Sequence, residues 1–326
     1  MCRYDCFGGA FFMKKLHFVL SLTNNDNDYQ IEQAVAAEAA AKRCGIELRL
    51  LYADNDALTQ SQQILDVIQS RSQPQPAGII FEPAGATALP QVARAAAVAG
   101  IGWVVLNREV EYIAELRKTH GIPAFTITTD HEEVGRIQGN QIGALLPDGG
   151  SVLYIQGPAE SLAAKQRTSG MYETKPVVAQ IKTMRAQWTE ASAHRTVASW
   201  LRLSTSHQTR IHMVAAQDDS MAMGARKALE ELPDGLARDR WLKLPFLGCD
   251  GLPKSGQAWV RRGLLTATIY IPPNAGQAVE LLARAMQSGT LPPEQTLTQP
   301  VSFPPVEELL PAQRGDAGTF SAGSGR

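Results

Sequence analysis

Two stretches decide how this chain is read: Met213–Leu229, MVAAQDDSMAMGARKAL, and Phe246–Gly251, FLGCDG. Each reads as a short buried strand that ends in an acidic residue. The first continues into a helix whose first turn is also acidic. In an open parallel α/β sheet, ligands bind outside the carboxyl ends of the strands. A chain that repeatedly sets polar and charged groups at that point is building a cleft for a polar small molecule.

Outward from these stretches the alternation continues. Leu16–Leu22, Ile46–Tyr52, Ala77–Phe81 and Gly102–Leu106 read as strands. The helices between them are Ile31–Cys44, Thr59–Arg71 and Thr87–Ala99, with Gly45 and Gly100 as helix stops. The strands are near-continuous apolar runs, the pattern of a parallel sheet covered on both faces. A second set opens at Phe125–Thr128. It continues through the helix Glu132–Leu146, the strand Ser151–Gln156, the helix Leu162–Glu173, the strand Ile181–Gln187 and the helix Ala191–Leu203. After the two deciding stretches come a helix at Pro253–Arg262, a strand at Thr266–Tyr270, a helix at Gly276–Gln287 and a last strand at Gln299–Phe303. The expected fold class is α/β, with doubly wound parallel sheets.

The 326 residues are enough for two lobes, each with its own core. A net charge of -1 offers no basic footprint for nucleic acid. No apolar run approaches the ~20 residues that span a bilayer. Residues 1–15, MCRYDCFGGAFFMKK, lack an A-x-A-like cleavage site, and LHFVLSL behind them reads as the first core strand. Met13 is an alternative start, which would make residues 1–12 a mis-assigned or vector-derived extension. The tail from Gly315 is small and polar and is expected to be disordered. Cys2, Cys6, Cys44 and Cys249 show no metal-ligand spacing, so no metal and no cofactor is expected. The G-x-S-x-G, H-E-x-x-H, G-x-G-x-x-G and P-loop patterns are absent. His131-Glu132-Glu133 has Gly135 where a second zinc-binding His would stand. The chain is therefore expected not to be an enzyme.

The strand ends carry the chemistry. They read Asn24 to Tyr29, Glu82-Pro83, Asn107-Arg108, Gln156-Gly157-Pro158 with Arg167 in the next helix, Gln217-Asp218-Asp219, and Cys249-Asp250-Gly251. Guanidinium forks and carboxylates suit vicinal hydroxyls, which both donate and accept. Tyr29 and Trp103 are candidates to stack on a sugar ring, and balanced charges favour a neutral ligand. A plainer reading stands beside each: Asp28 or Asp219 as a helix N-cap, Arg108 as a surface residue.

At these residues the chain resembles the type I periplasmic sugar-binding proteins, such as those for ribose and galactose, and the matching sensor domain of LacI-type regulators. The specific matches are VVLNR at 104–108, RTSG at 167–170, AAQDDSMAMGA at 215–225 and FLGCDGLP at 246–253. The Asn-rich first loop and D-x-x-x-x-G at 130–135 match more weakly.

The resemblance implies two lobes, 13–124 plus 274–298 and 125–271 plus 299–312, joined by a three-crossing hinge that closes on ligand. It implies sugar contacts from Asn25, Tyr29, Asn107, Arg108, Arg167, Asp218, Asp250 and Asn274. Two departures are the longer first loop and Pro272-Pro273 at the last crossing, where the family often has Gln or Asn. The expected partners are a small sugar or polyol and an ABC permease, with no direct nucleic-acid binding and a monomer rather than a dimer. The family implies the periplasm; the missing leader leaves the cytoplasm as the alternative. A sensor domain of a regulator, separated from its DNA-binding or output domain, is the competing function.

Overall fold

The computed structural model describes residues 16–25, 27–85, 87–203 and 210–310. The expectations for residues 1–12, for Met13 as the start and for the tail from Gly315 lie outside the described residues. The chain divides into two compact units. One runs to Thr129 and adds Pro272–Thr298; the other is Asp130–Ile271 and the chain from Gln299 onward. The backbone thus passes between units three times.

In the first unit the elements run β1 (His17–Leu22), α1 (Asp28–Cys44), β2 (Glu47–Tyr52), α2 (Ala57–Gln69), β3 (Gly78–Phe81), α3 (Pro90–Val98), β4 (Gly102–Leu106), α4 (Ile113–His120) and β5 (Ala124–Thr129). After the excursion into the second unit, α11 (Ala275–Ser288) and β11 (Gln295–Thr298) complete it. Its sheet is parallel throughout, in the order β11-β5-β4-β3-β1-β2. Alternation along each strand sorts side chains between two cores. Phe18, Leu20 and Leu22 face Ala37 of α1 and Val279 and Leu282 of α11. Val19, Ile79 and Trp103 face Ile64, Ala93 and Leu116 on α2, α3 and α4. Helix ends follow local chemistry. The Asn27 side chain caps α1 by accepting from the amides of Tyr29 (2.9 Å) and Gln30 (3.3 Å), and Gly45 ends it at φ 68°.

The second unit runs α5 (His131–Leu145), β6 (Gly150–Gln156), α6 (Leu162–Thr174), β7 (Ala179–Arg185), α7 (Glu190–Leu201), β8 (Met213–Ala216), α8 (Asp219–Glu230), α9 (Leu236–Leu242), β9 (Phe246–Leu247), α10 (Gly256–Arg261), β10 (Thr268–Tyr270) and β12 (Val301–Phe303). Its parallel sheet has the order β7-β6-β8-β9. Parallel bridges Leu247–Ala267 and Asp250–Tyr270 bring β10 alongside, and β12 pairs antiparallel with β10. One face packs on Ile142 and Met171 of α5 and α6, the other on Val197 and Leu229 of α7 and α8. The molecule is α/β, two units each built on a parallel sheet.

Three expectations shift. Residues 125–128 do not open the second lobe. They lie in β5, which pairs with β4 (Trp103 opposite Ala124) and belongs to the first unit, so the first crossing falls after Thr129. The strand expected at Gln299–Phe303 is shorter, Val301–Phe303, and an unforeseen strand ends at Thr298, with Pro300 between the two. Gln295–Thr298 joins β5 and Val301–Phe303 joins β10, since proline cannot donate to a ladder. Helices α4 and α9 were not foreseen. A parallel β4–β5 pair requires a crossover, and α4 supplies it.

Candidate functional site

In the first unit β1 and β3 are neighbours while their successors diverge, which opens the crevice at their carboxyl ends. Glu82 follows β3 there, and Asn107 and Arg108 follow β4. Helix α1 presents Gln30 and Gln33, both buried, to the same edge. The Gln30 carbonyl oxygen accepts from the Thr23 amide (3.2 Å). The Gln33 amide donates to Asn274 Oδ1 (2.8 Å) and to the Glu82 carboxylate (3.4 Å). The Asn274 amide donates to Asn107 Oδ1 (2.7 Å) and to the Ile127 carbonyl (3.3 Å). Burial pushes the Glu82 carboxyl up; hydrogen bonds from Gln30, Asn107 and Gln33 and the charge of Arg108 oppose that. Burial lowers the proton affinity of Arg108, and Glu82 restores part of it.

The structure therefore gathers Asn107, Arg108 and Asn274 around Glu82. Asn274 has no exposed surface and its amide is committed, so it stands as a support for Asn107 rather than as a ligand contact. Asn107 itself sits at φ 53°, a left-handed turn residue, a region that Asn tolerates better than most. Asn25 is exposed on the loop after β1, apart from this network. Tyr29 lies in the first turn of α1 beside Gln30. Trp103 is no stacking platform. Its ring is fully buried against Phe81 at 4.8 Å, with its N–H donating to the Tyr112 hydroxyl (3.3 Å).

In the second unit β6 and β8 form the corresponding switch point. Arg167, in the middle of α6, is 7% exposed and reaches it. Its guanidinium donates to the Gln217 carbonyl and to His131 Nδ1 (3.4 Å), stacks over the Trp188 ring (5.5 Å) and lies 4.0 Å from Asp250 Oδ1. Gln217 locks this frame. Its oxygen accepts from the Gly157 amide (2.8 Å), and its amide donates to the Tyr154 hydroxyl (3.0 Å), the Ala164 carbonyl (2.9 Å) and Thr168 Oγ1 (2.9 Å). The Trp188 ring lies on Gly157, where a β-carbon would overlap it. Burial and the Arg167 charge hold His131 well below its ordinary pKa, so it faces Arg167 as a neutral acceptor.

Asp218, not Asp219, is the N-cap of α8, accepting from the Met221 amide at 2.5 Å. Burial raises both carboxyls, tempered for Asp218 by that amide and Arg167, and for Asp219 by Thr268 and Gly251. Asp250 keeps 23% of its side-chain surface exposed beside the buried Arg167, so it is the accessible half of that pair.

Sequence reasoning reached Asn107, Arg108, Arg167, Asp218 and Asp250. It did not note Gln33 or Trp188, and it noted Glu82, Gln217 and His131 without choosing them. Gln33 lies one turn beyond Tyr29 on the same helix face, a spacing that could have been used. Trp188 carries no such signal, since it follows an exposed edge strand and sits at φ 57°. Among the described residues no group of three or more His, Cys, Asp or Glu side chains is placed to hold a metal ion.

Comparison with known proteins agrees with this architecture. Residues 18–290 match the family described as periplasmic binding protein domain. The chain is 25% identical over 302 residues to the D-allose-binding periplasmic protein of Escherichia coli, spanning 91% of this chain and 92% of that one. It is 26% identical over 280 residues to the D-apiose import binding protein of Paraburkholderia graminis, spanning 84% and 82%. A solute-binding protein of Actinobacillus succinogenes, solved with D-allose, superposes with a TM-score of 0.74 at 22% identity, over 90% of this chain and 99% of that one; this likeness shows the fold. The chain belongs to the type I periplasmic sugar-binding protein family. These relatives are binding proteins, not enzymes.

Proposed function

We propose that this chain binds a small neutral sugar or polyol without altering it, as the periplasmic substrate-binding component of an ABC sugar importer. Arg167 carries the reading. A buried guanidinium is fixed by a carbonyl, an imidazole and an indole, and its accessible partner is a carboxylate at a strand end. Such a pair offers donors and acceptors together, as vicinal hydroxyls require. The Glu82, Asn107 and Arg108 group offers a second set of the same kind and charge balance. In this reading each set contacts sugar hydroxyls, with Tyr29 as the aromatic surface of the first and Trp188 of the second. The relatives named for D-allose and for D-apiose import support the ligand class and the importer role.

The test is a thermal shift of the purified protein against D-allose, D-apiose, D-ribose and myo-inositol, with amino acids as controls. A ligand at a hundredfold excess over its Kd stabilises the folded state by about 2.7 kcal/mol. One sugar or polyol is expected to raise Tm clearly. Arg167→Ala is expected to weaken that binding by roughly 2–4 kcal/mol, because it leaves polar partners unpaired. A shift by amino acids alone, or a sugar shift that survives Arg167→Ala undiminished, would sink the reading.

A further inference from the structure

Asp250 occupies a conformation that its own chemistry does not favour. Its φ is 102°, a region of backbone space that a residue with a β-carbon rarely enters without support from its surroundings. Its backbone is tied to β10: its amide donates to the Ile269 carbonyl (2.9 Å) and its carbonyl accepts from the Ile271 amide (2.9 Å). Those bonds fix a register, but they use one end of each flanking peptide group and leave the Cys249 carbonyl and the Gly251 amide to be held by something else.

A single residue holds both. The Asp219 amide donates to the carbonyl of Cys249, the residue before Asp250, at 2.6 Å. Asp219 Oδ2 accepts from the amide of Gly251, the residue after it, at 2.8 Å. The other carboxylate oxygen accepts from the hydroxyl of Thr268 on β10, at 2.6 Å. Asp219 is 3% exposed. Around it the chain has dispensed with side chains: a β-carbon at Gly248 or at Gly256 would overlap the carboxylate oxygens. A buried carboxylate with both oxygens engaged and glycines on two sides is a made socket, not an incidental helix-end acid.

We infer that Asp219 is a positioning residue for ligand binding: by bonding both neighbours of Asp250 and the strand beside it, it sets the backbone that aims the Asp250 carboxylate beside Arg167. The inference rests on the reading of Asp250 as a sugar contact. Asp219 itself touches no ligand, since both of its oxygens are committed within the protein.

The test uses the whole chain with Asp219→Asn and Asp219→Ala, each alone and combined with Asp250→Asn. The first readout is amide exchange and backbone chemical shifts by NMR in sugar-free protein, so it does not depend on the ligand. Asp219→Ala is expected to lower protection of the Gly251 amide by roughly tenfold or more and to move the Asp250 shifts, while β6 and β8 amides keep theirs. Asp219→Asn retains one acceptor oxygen and is expected to fall between. Unchanged Gly251 protection and Asp250 shifts overturn the inference. So does a loss of protection spread over the whole unit in both variants, which would make Asp219 a general support of the fold.

The second readout is titration with D-allose. Asp219→Ala is expected to weaken binding roughly tenfold in the wild-type background and to add little once Asp250→Asn is present. Equal losses in both backgrounds overturn the inference. Binding unchanged by Asp250→Asn would instead remove Asp250 from the contacts, an outcome that strikes the proposed site while the exchange readout still judges Asp219.

Discussion

Two adjacent carboxyls, Asp218 and Asp219, are buried at the start of α8, and burial raises the pKa of each. The consequence for stability has a definite sign. In the unfolded chain these groups lose their protons near the ordinary value of about 4. In the folded protein they keep them to higher pH. Between those points the folded state binds more protons, so stability falls as pH rises. His131 works the other way: its lowered pKa costs stability as pH falls below about 6.5. Comparison with Asp219→Asn cancels the histidine. The Tm advantage of wild type over Asp219→Asn is expected to shrink steadily between about pH 5 and about pH 8. A constant or widening gap in differential scanning calorimetry would contradict it. At this scale the sequence was partly legible. Asn107, Arg108 and Asp250 announced themselves by standing at or near strand ends, and Arg167, inside a helix, by the RTSG match at 167–170. Gln33 did not, and Gln217 was noted at a strand end without being chosen, because a buried glutamine becomes informative only when its partners are known. The sequence offered Asp219 as a helix N-cap and Asp218 as a sugar contact, since either carboxylate fits a cap by position; the backbone makes Asp218 the cap.

At the scale of elements, the strands were read most securely where both faces are buried. The runs in β1, β3, β4 and β8 are apolar nearly throughout. Membership of a unit was less legible. β5, AFTITT, is equally buried although half of it is threonine, and nothing local says which sheet it joins; the pairing with β4 and β11 decides it. α4 was missed because Arg, Lys, Glu and His fill half of IAELRKTH, and only Ile113 and Leu116 are buried. The closest helix pair positions Arg167. A β-carbon at Gly135 of α5 would overlap the Arg167 carbonyl on α6, and one at Gly170 of α6 would overlap the Glu132 carbonyl on α5. Gly143, farther along α5, has room, with Pro176 at 3.5 Å. Gly135→Ala is expected to destabilise by roughly 1–3 kcal/mol through overpacking. Gly143→Ala is expected to be neutral or to stabilise by up to about 1 kcal/mol through helix propensity. Urea denaturation measures both. Equal effects would mean that the helices do not approach each other closely at Gly135.

For the whole molecule, the three crossings make neither unit a continuous segment. The first unit takes α11 and β11 from the far end of the chain. Ala278, Val279 and Leu282 of α11 cover the same core as Phe18 and Leu20. A chain ending at Ile271 lacks that helix and the β11 edge. Its β1, β3 and β4 amides are expected to exchange freely by hydrogen-exchange mass spectrometry, while β6 and β8 retain protection. Protected β1 and β4 amides in that truncated chain would show that the first unit stands without its returning segment. Alternation showed two sets of strands and helices and the family resemblance implied the two lobes, but the first crossing was not legible, because it is set by which strand finds an edge.

The same interleaving gives the molecule a timetable. A nascent chain emerges amino end first, at about 5–20 residues per second. Residues up to Thr129 are delivered early, yet the helix that covers Phe18 and Leu20 follows only after residues 130–271 have been made. That is a delay on the order of ten seconds. During it an apolar sheet face is covered by α1 alone while the second unit receives nearly all of its strands. The half of the protein that is made first must wait for a segment made after nearly all of the other half, and a holdase would find its natural client in that interval.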